Sequence, residues 1–373
     1  MPVCKVCIMD ESCQPIEFFE EAGCSYCLSA SHRLSVGRGQ TNSLTSLVQE
    51  IRGKVRSQKQ QYDCIVGVSG GLDSTYLLAR IVELGLRPLA VHMDNNWNSS
   101  MASRNLKRAL KALDVDLITY VTPWRIQRDW QRALLSADVV DVELLYDNML
   151  HEVCYREARR RRIKVIIGGA NNATEGVEVP KSWIWHKFDG TNLRAIARHF
   201  LVNVKDMPTF SYLKWIRYTF IDRIQWLSLL DWMPEYSRET AQSFLTQEYG
   251  YQPYGSKHFE NVFTRFFQAE ILPKKFGIDK RKPHLSSEII SGKISRSEAL
   301  RKLEEPLYPT PALRELDKRY VLGKLGLSQE EFESYLRRPG RPHVSYKQDF
   351  AGKMVRLALR TRDNLLAKKG LLP

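Results

Sequence analysis

The sequence lacks any apolar run long enough to cross a membrane. Its most aromatic stretch, residues 212–232, is interrupted by five charged side chains, which are Lys214, Arg217, Asp222, Arg223 and Asp231. A spanning helix needs about 20 consecutive apolar residues. The first five residues, Met-Pro-Val-Cys-Lys, also lack the apolar core of a secretory signal. We therefore expect a cytoplasmic protein with no membrane partner.

Internal repeats and low-complexity tracts are also missing, so 373 residues should form two or three ordinary globular domains. The net charge is +14, but no single basic tail carries it. The densest run, Arg159–Arg162, is typical of a solvated helix end. A basic surface suits RNA, and it equally suits ATP together with an anionic nucleotide-sugar. Charge alone does not choose between these partners.

Cysteine is scarce, but four of the seven cysteines are regularly spaced. Cys4, Cys7, Cys24 and Cys27 form the pattern Cys-x2-Cys-x16-Cys-x2-Cys. Two such pairs supply the four thiolates of a closed zinc tetrahedron, which is structural because it leaves no position for water. A redox pair, an iron–sulfur site and an empty site are the alternatives. We predict a zinc ribbon over residues 1–38 and a linker helix over residues 39–60.

Two familiar phosphate-binding patterns are absent, the Walker A loop ending in G-K-[ST] and the dinucleotide pattern G-x-G-x-x-G. A different glycine-rich turn, S-G-G-L-D-S, follows the apolar run Cys64–Gly67 and precedes a stretch with helical periodicity. Strand, glycine turn and helix N-terminus together direct backbone N–H groups at phosphate. The pattern matches the PP-loop of ATP pyrophosphatases. The predicted ATP-binding residues here are Gly67, Val68, Ser69, Gly70, Gly71, Asp73 and Ser74.

From Tyr62 the sequence alternates between strand and helix patterns. Strands are predicted at residues 62–68, 87–93, 116–121 and 164–167, with helices near 74–84, 100–113 and 125–162. This alternation predicts an α/β domain over residues 61–185, with a doubly wound parallel sheet of the PP-loop (adenine nucleotide alpha hydrolase-like) type.

Ligands of such sheets lie at the carboxyl ends of the strands. Polar and glycine residues follow the second and fourth predicted strands, so we predict that His92, Met93, Asp94, Gly168 and Asn171 contact ATP. Asn172 and Glu175 follow directly and are predicted to contact the second substrate. A packing role for His92 remains open.

Residues 186–373 are predicted to be mostly helical. The aromatic stripe at Tyr212, Trp215, Ile216, Thr219, Phe220 and Arg223 favours core or homodimer packing over a ligand site. Residues 254–284 combine many cations with glycine and proline turns, which indicates either an anion-binding wall or a solvated loop. From this block Lys257, His258 and Lys275 are predicted substrate contacts, and Lys274 and Arg281 are predicted to be catalytic together with Asp73.

Over nearly its full length the chain resembles the N-acetyl sugar amidotransferase family of surface-polysaccharide and nonulosonic-acid biosynthesis. The resemblance depends on the two Cys-x-x-Cys pairs, on V-S-G-G-L-D-S, on Gly168-Gly169-Ala170-Asn171 and on the blocks G-S-K-H-F-E and K-K-F-G-I-D-K-R. Ser256 replaces the usual second glycine of the first block. The resemblance implies that ATP adenylates an acetamido oxygen of a UDP- or CMP-activated sugar and that ammonia then gives an acetamidino group. An O-antigen enzyme acting on a UDP-linked diacetamido uronic acid is the nearest kind.

The motifs and the resemblance together imply several cofactors and partners. Asp73 would help to hold Mg²⁺, and lysine and arginine of the late block would neutralise the departing pyrophosphate. None of the seven cysteines lies in the Gly-x-Cys-x-Gly turn of a glutaminase nucleophile, so we expect a separate glutaminase to supply ammonia. The main alternative is a PP-loop enzyme that modifies tRNA, and a non-catalytic ATP-binding scaffold is a third. The tRNA thiolases usually need a further Cys-x-x-Cys pair, which is missing here, so we do not expect nucleic acid as a partner.

Overall fold

A computed structural model describes residues 2–21, 23–38, 44–56, 60–233, 235–254, 259–355 and 357. The N-terminal part contains a short hairpin, with β1 at Phe18–Phe19 antiparallel to β2 at Gly23–Cys24. Helix α1 follows at Ser25–Arg38 and α2 at Leu44–Arg56.

The central element is a five-stranded sheet in which every neighbouring pair is parallel. Its strands are β3 (Cys64–Gly67), β4 (Pro88–Asp94), β5 (Leu117–Val121), β6 (Val165–Gly168) and β7 (Gln225–Ser228). They lie in the spatial order β5-β4-β3-β6-β7. From β3 the chain builds the sheet in one direction to β5 and then returns to add β6 and β7 on the other side. The topological switch point is therefore between β3 and β6, where ligands of such sheets bind.

Helices cover both faces of this sheet, which confirms the doubly wound fold. Those that alternate with the strands are α3 (Leu72–Glu83), α4 (Ser100–Leu113), α5 (Trp124–Ser136), α6 (Leu144–Arg160) and α7 (Asn172–Glu175). Successive side chains of a strand point to opposite faces. Val66 accordingly packs with α3 and α4, and Ile65 packs on the other face with Val153 and Ala158 of α6.

The remaining chain is mostly helical, as predicted. Its helices are α8 (Gly190–His199), α9 (Tyr212–Ile216), α10 (Arg238–Tyr249), α11 (Val262–Phe266), α12 (Arg281–Ile290), α13 (Arg296–Glu304), α14 (Pro311–Leu325) and α15 (Gln329–Arg337). Two π-helical segments, 217–221 and 267–276, continue α9 and α11. Among the residues described, no helix has both the length and the apolar character needed to cross a membrane.

One strand of the sheet lies in the region that was predicted to be mostly helical. β7 belongs to the 186–373 range, beyond the boundary predicted for the ATP-binding domain, yet it pairs with β6 along its whole length. Its four residues are too few for a clear period-2 pattern, and its partner lies about sixty residues earlier in the chain. The sheet therefore takes its last strand from the predicted helical region.

The aromatic stripe is only partly a core element. Tyr212 is buried, but the π-helical turn after Ile216 changes the helical phase and leaves Phe220 65% exposed. The buried aromatic stack is formed instead by Tyr155, Phe210 and Tyr218, whose rings lie nearly parallel.

His343 packs among the C-terminal elements and should make stability depend on pH. Its ring stacks on Trp185 at 5.1 Å, and its Nδ1 donates to Asn192 Oδ1 at 2.8 Å. Burial lowers the pKa of His343 from 6.5 to about 3. The folded state therefore favours the neutral ring. The contribution of His343 to the free energy of unfolding is fully present above pH 6.5 and is lost progressively towards pH 3.

We expect the wild-type free energy of unfolding to fall by about 2 kcal/mol more between pH 8 and pH 5 than that of His343→Phe, which cannot titrate. Denaturant melts at both pH values measure this difference. His199→Phe, at an exposed histidine, is the matched control and should keep the wild-type pH dependence. Equal pH slopes for wild type and His343→Phe would contradict the prediction.

Candidate active site

The predicted phosphate loop joins β3 to α3 at the switch point. The Ser69 hydroxyl oxygen accepts from the Gly71 N–H at 3.1 Å, and the Ser69 N–H donates to Ser74 Oγ at 3.2 Å. Gly71 is the N-cap of α3 and has no side chain to cap the helix. The first-turn N–H groups of a helix have no intrahelical acceptor. The first turn of α3 therefore presents a positive helix end, which favours an anion.

Gly70 is required by both conformation and space. Its φ is +82°, and an added Cβ would lie 2.6 Å from the backbone oxygen of Ala102 in α4. L-residues avoid this conformation, and backbone atoms cannot move aside cheaply. The close approach of α4 fixes the path of the loop.

We expect Gly70→Ala to destabilise the protein by about 2–4 kcal/mol and to weaken ATP binding, because the loop must move away from α4. Chemical denaturation and calorimetric ATP titration measure the two effects. Gly53→Ala is the control, since Gly53 lies in α2 with open space around a Cβ, and it should be neutral or slightly stabilising. Similar stability of the two variants would show that the loop tolerates a side chain.

Asp73, in the first turn of α3, is held by a tyrosine from the C-terminal region. The Tyr236 hydroxyl donates to Asp73 Oδ1 at 2.7 Å. The Tyr236 ring lies 5.5 Å from that of Tyr76. Burial, followed by the charge of Asp73, holds the pKa of Tyr236 far above its usual range, so the phenol remains a donor. This contact orients the carboxylate that the sequence assigns to Mg²⁺.

A second tyrosine and a glutamate lie against the same loop. The Tyr254 hydroxyl accepts from the Leu72 N–H at 2.8 Å. A Cβ added to Gly71 would lie 2.8 Å from Glu260 Oε1 and 3.2 Å from the Tyr254 hydroxyl oxygen. Both side chains belong to a block singled out in the sequence, but neither was predicted as a site residue, and Tyr236 gave no local signal at all.

The carboxyl end of β4 lies beside the loop, and His92 has a positioning role there. Its Nε2 is 2.9 Å from the Asn98 amide nitrogen, and its Nδ1 is 2.7 Å from the carbonyl oxygen of Val68. Because Nε2 accepts from the amide, Nδ1 carries the proton and donates to Val68. His92 is also buried. This geometry therefore supports the alternative that His92 has a packing role. The next predicted contacts, Met93 and Asp94, are half-buried at the strand end, and Asp94 Oδ1 accepts from the Asn96 N–H at 2.7 Å.

The carboxyl end of β6 approaches the loop from the other side. A Cβ on Gly168 would meet the Trp226 indole nitrogen at 2.7 Å, and one on Gly169 would meet the Ser74 nitrogen at 3.4 Å. Asn171 caps α7 with its Oδ1, which accepts from the Thr174 N–H at 2.9 Å. Its amide nitrogen Nδ2 is buried and has no partner in the described part of the chain. A buried unsatisfied donor at this position is consistent with an absent ligand.

Asn172 is held by Asp231, which accepts its side-chain N–H at 3.0 Å and its backbone N–H at 2.5 Å. Glu175 is the last residue of α7. Lys187 pairs with Asp147 in the first turn of α6, and this charge raises the pKa of Lys187 above its usual range.

A second polar group was not predicted from the sequence. It lies at the N-terminal end of α6, which is at the same edge of the sheet as the loop because α6 runs antiparallel to β6. Lys187 Nζ is 3.0 Å from Asp147 Oδ2, and Lys280 Nζ is 3.7 Å from Glu143 Oε2. Burial raises the pKa of Asp141 to about 6. Lys280 is part of the K-K-F-G-I-D-K-R block, but neighbouring residues of that block were predicted instead.

Within residues 259–284, the described part of the late basic block, most cations bind carboxylates or carbonyl oxygens of the protein itself. Arg281 binds both oxygens of Asp279 and donates to the carbonyl oxygens of Lys302, Leu303 and Glu305 at the end of α13. It therefore caps a helix, and the structure does not support a catalytic role for it.

Lys275 is fully enclosed, and its ammonium lies 3.0 Å from Asp138 and 2.7 Å from the Arg338 carbonyl oxygen. It cannot meet a substrate in this position, so its predicted role is not supported either. Lys274 pairs with the buried Glu270, which also binds Arg314. The Lys274 side chain is 45% exposed. Lys257 and His258 lie outside the described residues, and their roles stay predictions.

The four paired cysteines form one buried cluster. The Sγ atoms of Cys4 and Cys27 are 3.7 Å apart, those of Cys7 and Cys24 are 3.8 Å apart, and those of Cys24 and Cys27 are 3.6 Å apart. A tetrahedron with Zn–S bonds of about 2.3 Å has edges of about 3.8 Å. The Cys7 N–H points at Cys4 Sγ at 3.4 Å. This donor set fits zinc, and the separations are far too long for disulfides.

The cysteine cluster is joined to the C-terminal helices. Arg296 of α13 donates to the carbonyl oxygens of Cys4 and Cys7 at 2.9 and 3.0 Å. Lys282 of α12 lies 2.5 Å from Asp10. The same helix α12 contacts α7, where His284 Nδ1 is 3.1 Å from the Thr174 carbonyl oxygen. Packing thus continues from the cysteine cluster through α12 to the loop that carries Asn171.

Comparison with known families identifies the C-terminal part. Residues 260–358 match the family described as "LPS biosynthesis protein WbpG-like, C-terminal domain". These residues are similar to the WbpG-like family, which confirms for this part of the chain the resemblance to a family of polysaccharide biosynthesis. The match begins at Glu260, beside the phosphate loop, and includes α11 to α15. No curated protein matches the chain significantly in a sequence search.

Three solved structures are similar to this chain at low sequence identity. A predicted tRNA methyltransferase subunit of Methanocaldococcus jannaschii is 12% identical, with a TM-score of 0.28, and the match covers 49% of this chain and 73% of that one. NMN synthetase from Francisella tularensis is 13% identical (TM-score 0.27, covering 62% and 98%). The NH3-dependent NAD synthetase of Campylobacter jejuni is 16% identical (TM-score 0.29, covering 59% and 99%). The assignment of the site therefore depends on its own geometry and on residues 260–358.

Proposed function

We propose that this chain is an ATP-dependent sugar amidotransferase of lipopolysaccharide biosynthesis. It converts an acetamido group of a UDP- or CMP-activated N-acetyl sugar into an acetamidino group. The observation that carries the proposal is the S-G-G-L-D-S turn at the switch point of a parallel sheet, in contact with Glu260 at the start of the WbpG-like region. An ATP loop and a polysaccharide-biosynthesis region thus contribute to one site.

The reaction has two steps. The acetamido oxygen attacks the α-phosphorus of ATP, the bond to the β-phosphate oxygen breaks, and pyrophosphate leaves. The resulting O-adenyl imidate has a good leaving group, whereas water's pKa of about 15.7 shows how poorly hydroxide would leave. Ammonia then attacks the imidate carbon, AMP departs with the former amide oxygen, and a proton is released. The enzyme needs no covalent nucleophile, because alignment and charge stabilisation lower both barriers.

The residues have distinct roles in this scheme. The loop amides and the Ser69 and Ser74 hydroxyls bind the β- and γ-phosphates, and the buried amide of Asn171 supplies a further donor. Asp73 and Glu260 provide carboxylate oxygens, which together with phosphate oxygens are the ligands Mg²⁺ prefers. When bound, the metal offsets the charge of the phosphates. Tyr236 orients Asp73 for this contact.

The second substrate would occupy the polar group at the N-terminal end of α6. Lys187 and Lys280 offer cations for the diphosphate or carboxylate of a nucleotide-sugar, at the same edge of the sheet as the phosphate loop. These side chains take the substrate-binding role that the sequence assigned to Lys275.

The cysteines favour this function over tRNA thiolation. Outside the cluster of four, Cys13, Cys64 and Cys154 are all buried. Burial raises the pKa of the Cys154 thiol to about 12, and it also raises the pKa of the Cys64 thiol. Neither thiol can serve as the exposed, low-pKa nucleophile of a persulfide carrier or a glutaminase. Ammonia is therefore proposed to come from a separate glutaminase, and turnover by the isolated chain should require ammonium salts and fail with glutamine.

The decisive experiment labels the acetamido oxygen of candidate sugars with a heavy isotope. The chain is incubated with Mg-ATP, ammonium and each UDP- or CMP-linked diacetamido sugar, and products are analysed by mass spectrometry. We expect a sugar product in which NH replaces O, one AMP and one pyrophosphate per product, and the heavy label in AMP. Formation of ADP and orthophosphate, or unlabelled AMP beside an amidine product, would contradict adenylation of the amide oxygen.

A further inference from the structure

A tyrosine outside the sheet domain is in direct contact with the phosphate loop. The Tyr254 hydroxyl accepts from the N–H of Leu72, the first residue of α3, at 2.8 Å. The same hydroxyl oxygen would be 3.2 Å from a Cβ placed on Gly71. An oxygen atom from the C-terminal region thus lies at the helix N-terminus where an anion is expected to bind.

The backbone that carries Tyr254 is fixed to the sheet domain on both sides of the contact. Before it, Gln252 makes two backbone hydrogen bonds to the side chain of the buried Asn105 in α4, at 2.8 and 3.0 Å. After it, the Glu260 carbonyl oxygen accepts from the Ser99 N–H at 2.8 Å, and Asn261 bonds to Asn95. Tyr254 is therefore held at the loop by the framework, and it is not an arm that must leave before a phosphate enters.

A hydroxyl that accepts one hydrogen bond keeps its own proton for a second acceptor. Burial, followed by the charge of Glu260, holds the pKa of Tyr254 above its usual range, so the proton is present at neutral pH. The Tyr251 hydroxyl is an acceptor already beside it. An oxygen of the ATP β- or γ-phosphate, bound at the adjoining N–H groups of the loop, would be the charged acceptor that replaces it.

We propose that Tyr254 is a phosphate-binding residue, supplied from outside the sheet domain, that donates a hydrogen bond to the pyrophosphate part of ATP. This inference rests on the proposed ATP site. It implies that the region beyond the sheet completes the nucleotide site, and that Tyr254 recognises the triphosphate tail rather than the adenosine or the α-phosphate.

The test is calorimetric binding of Mg-pyrophosphate, Mg-ATP and AMP to the full chain and to Tyr254→Phe. Removing one hydrogen bond to a charged group should raise the Kd for pyrophosphate and ATP about tenfold or more. The Kd for AMP should not change, because AMP has no β- or γ-phosphate. Tyr249→Phe is the matched control, since Tyr249 is a half-buried tyrosine at the end of α10 whose ring packs on Phe244, and it should bind like wild type.

Each outcome has one meaning. Unchanged pyrophosphate affinity in Tyr254→Phe would make the tyrosine a purely structural contact, and tighter binding would make its hydroxyl a competitor of phosphate. An equal loss for AMP would show a general defect of the site. If the wild-type chain binds neither pyrophosphate nor ATP, the proposed function fails first. Should Tyr254→Phe melt at a lower temperature, the increase in Tm produced by pyrophosphate, compared with that produced by AMP, gives the same discrimination.

Discussion

Asp73→Asn is expected to lower the rate of AMP and pyrophosphate formation by roughly a thousandfold while leaving the fold intact. The substitution keeps the size of the side chain and an acceptor for the Tyr236 hydroxyl, which lies 2.7 Å from Oδ1 in the wild type. It removes the negative charge that we propose holds Mg²⁺ against the phosphates. The expected defect is therefore in the chemical step, with little change in Tm. A coupled pyrophosphate assay and a thermal melt measure the two quantities.

Asp116→Asn is the matched control for this experiment. Asp116 is an exposed aspartate just before β5, at the opposite edge of the sheet, where it accepts from the Tyr62 hydroxyl at 2.6 Å. It should leave turnover unchanged. Tyr236→Phe should fall between the two variants, because it keeps the charge of Asp73 but loses the bond that orients it. Turnover of Asp73→Asn within a few-fold of the wild type would remove Asp73 from the mechanism.

Loss of zinc is the second change with a large expected effect. Structural zinc contributes about 10–16 kcal/mol of binding free energy in small zinc domains, which is as large as the whole stability of a typical domain. We expect one zinc per chain, and we expect Cys24→Ser to lose the metal and lower the Tm by roughly 10 °C or more. Metal analysis and calorimetric melting measure these quantities.

Zinc loss should also reduce turnover, although the four cysteines of the cluster lie outside the phosphate loop. Arg296 binds the carbonyl oxygens of Cys4 and Cys7, and α12 continues the packing to α7 at Thr174. Unfolding of the ribbon would therefore loosen the segment that carries Asn171. Cys13→Ser is the control, since Cys13 is equally buried but lies outside the cluster of four. A metal-free protein with unchanged melting and activity would contradict the prediction.

Structural features that depend on residues close together in the sequence were predicted correctly. The turn from β3 to α3 requires glycine at Gly70, a buried strand before it and an amphipathic helix after it, and all three are contiguous in the chain. The paired cysteines likewise carry their geometry in their spacing, because each Cys-x2-Cys turn places two sulfurs on one side. The alternation of strands and helices determined the parallel sheet for the same reason.

Charge density in the sequence did not reveal the partners of individual cations. Arg281 and Lys275 belong to a basic, glycine-containing stretch, yet their cations bind backbone carbonyl oxygens and buried carboxylates. A cluster of cations in the sequence does not say whether its acceptors are ligand phosphates or the last carbonyls of a neighbouring helix. Lys280, which lies next to Arg281 in the chain, instead faces the polar group at the start of α6.

The sequence by itself determined the doubly wound sheet, the phosphate turn and the cysteine cluster, because each depends on residues close together in the chain. Only the tertiary structure decided which distant side chains complete the site. Tyr236 and Tyr254 reach the loop across 163 and 182 residues, and β7 joins the sheet from the helical region. Contacts at such separations depend on how the layers pack, and the local periodicity of the sequence does not reveal that packing. The strand order, with its switch point between β3 and β6, is what brings these residues to one edge.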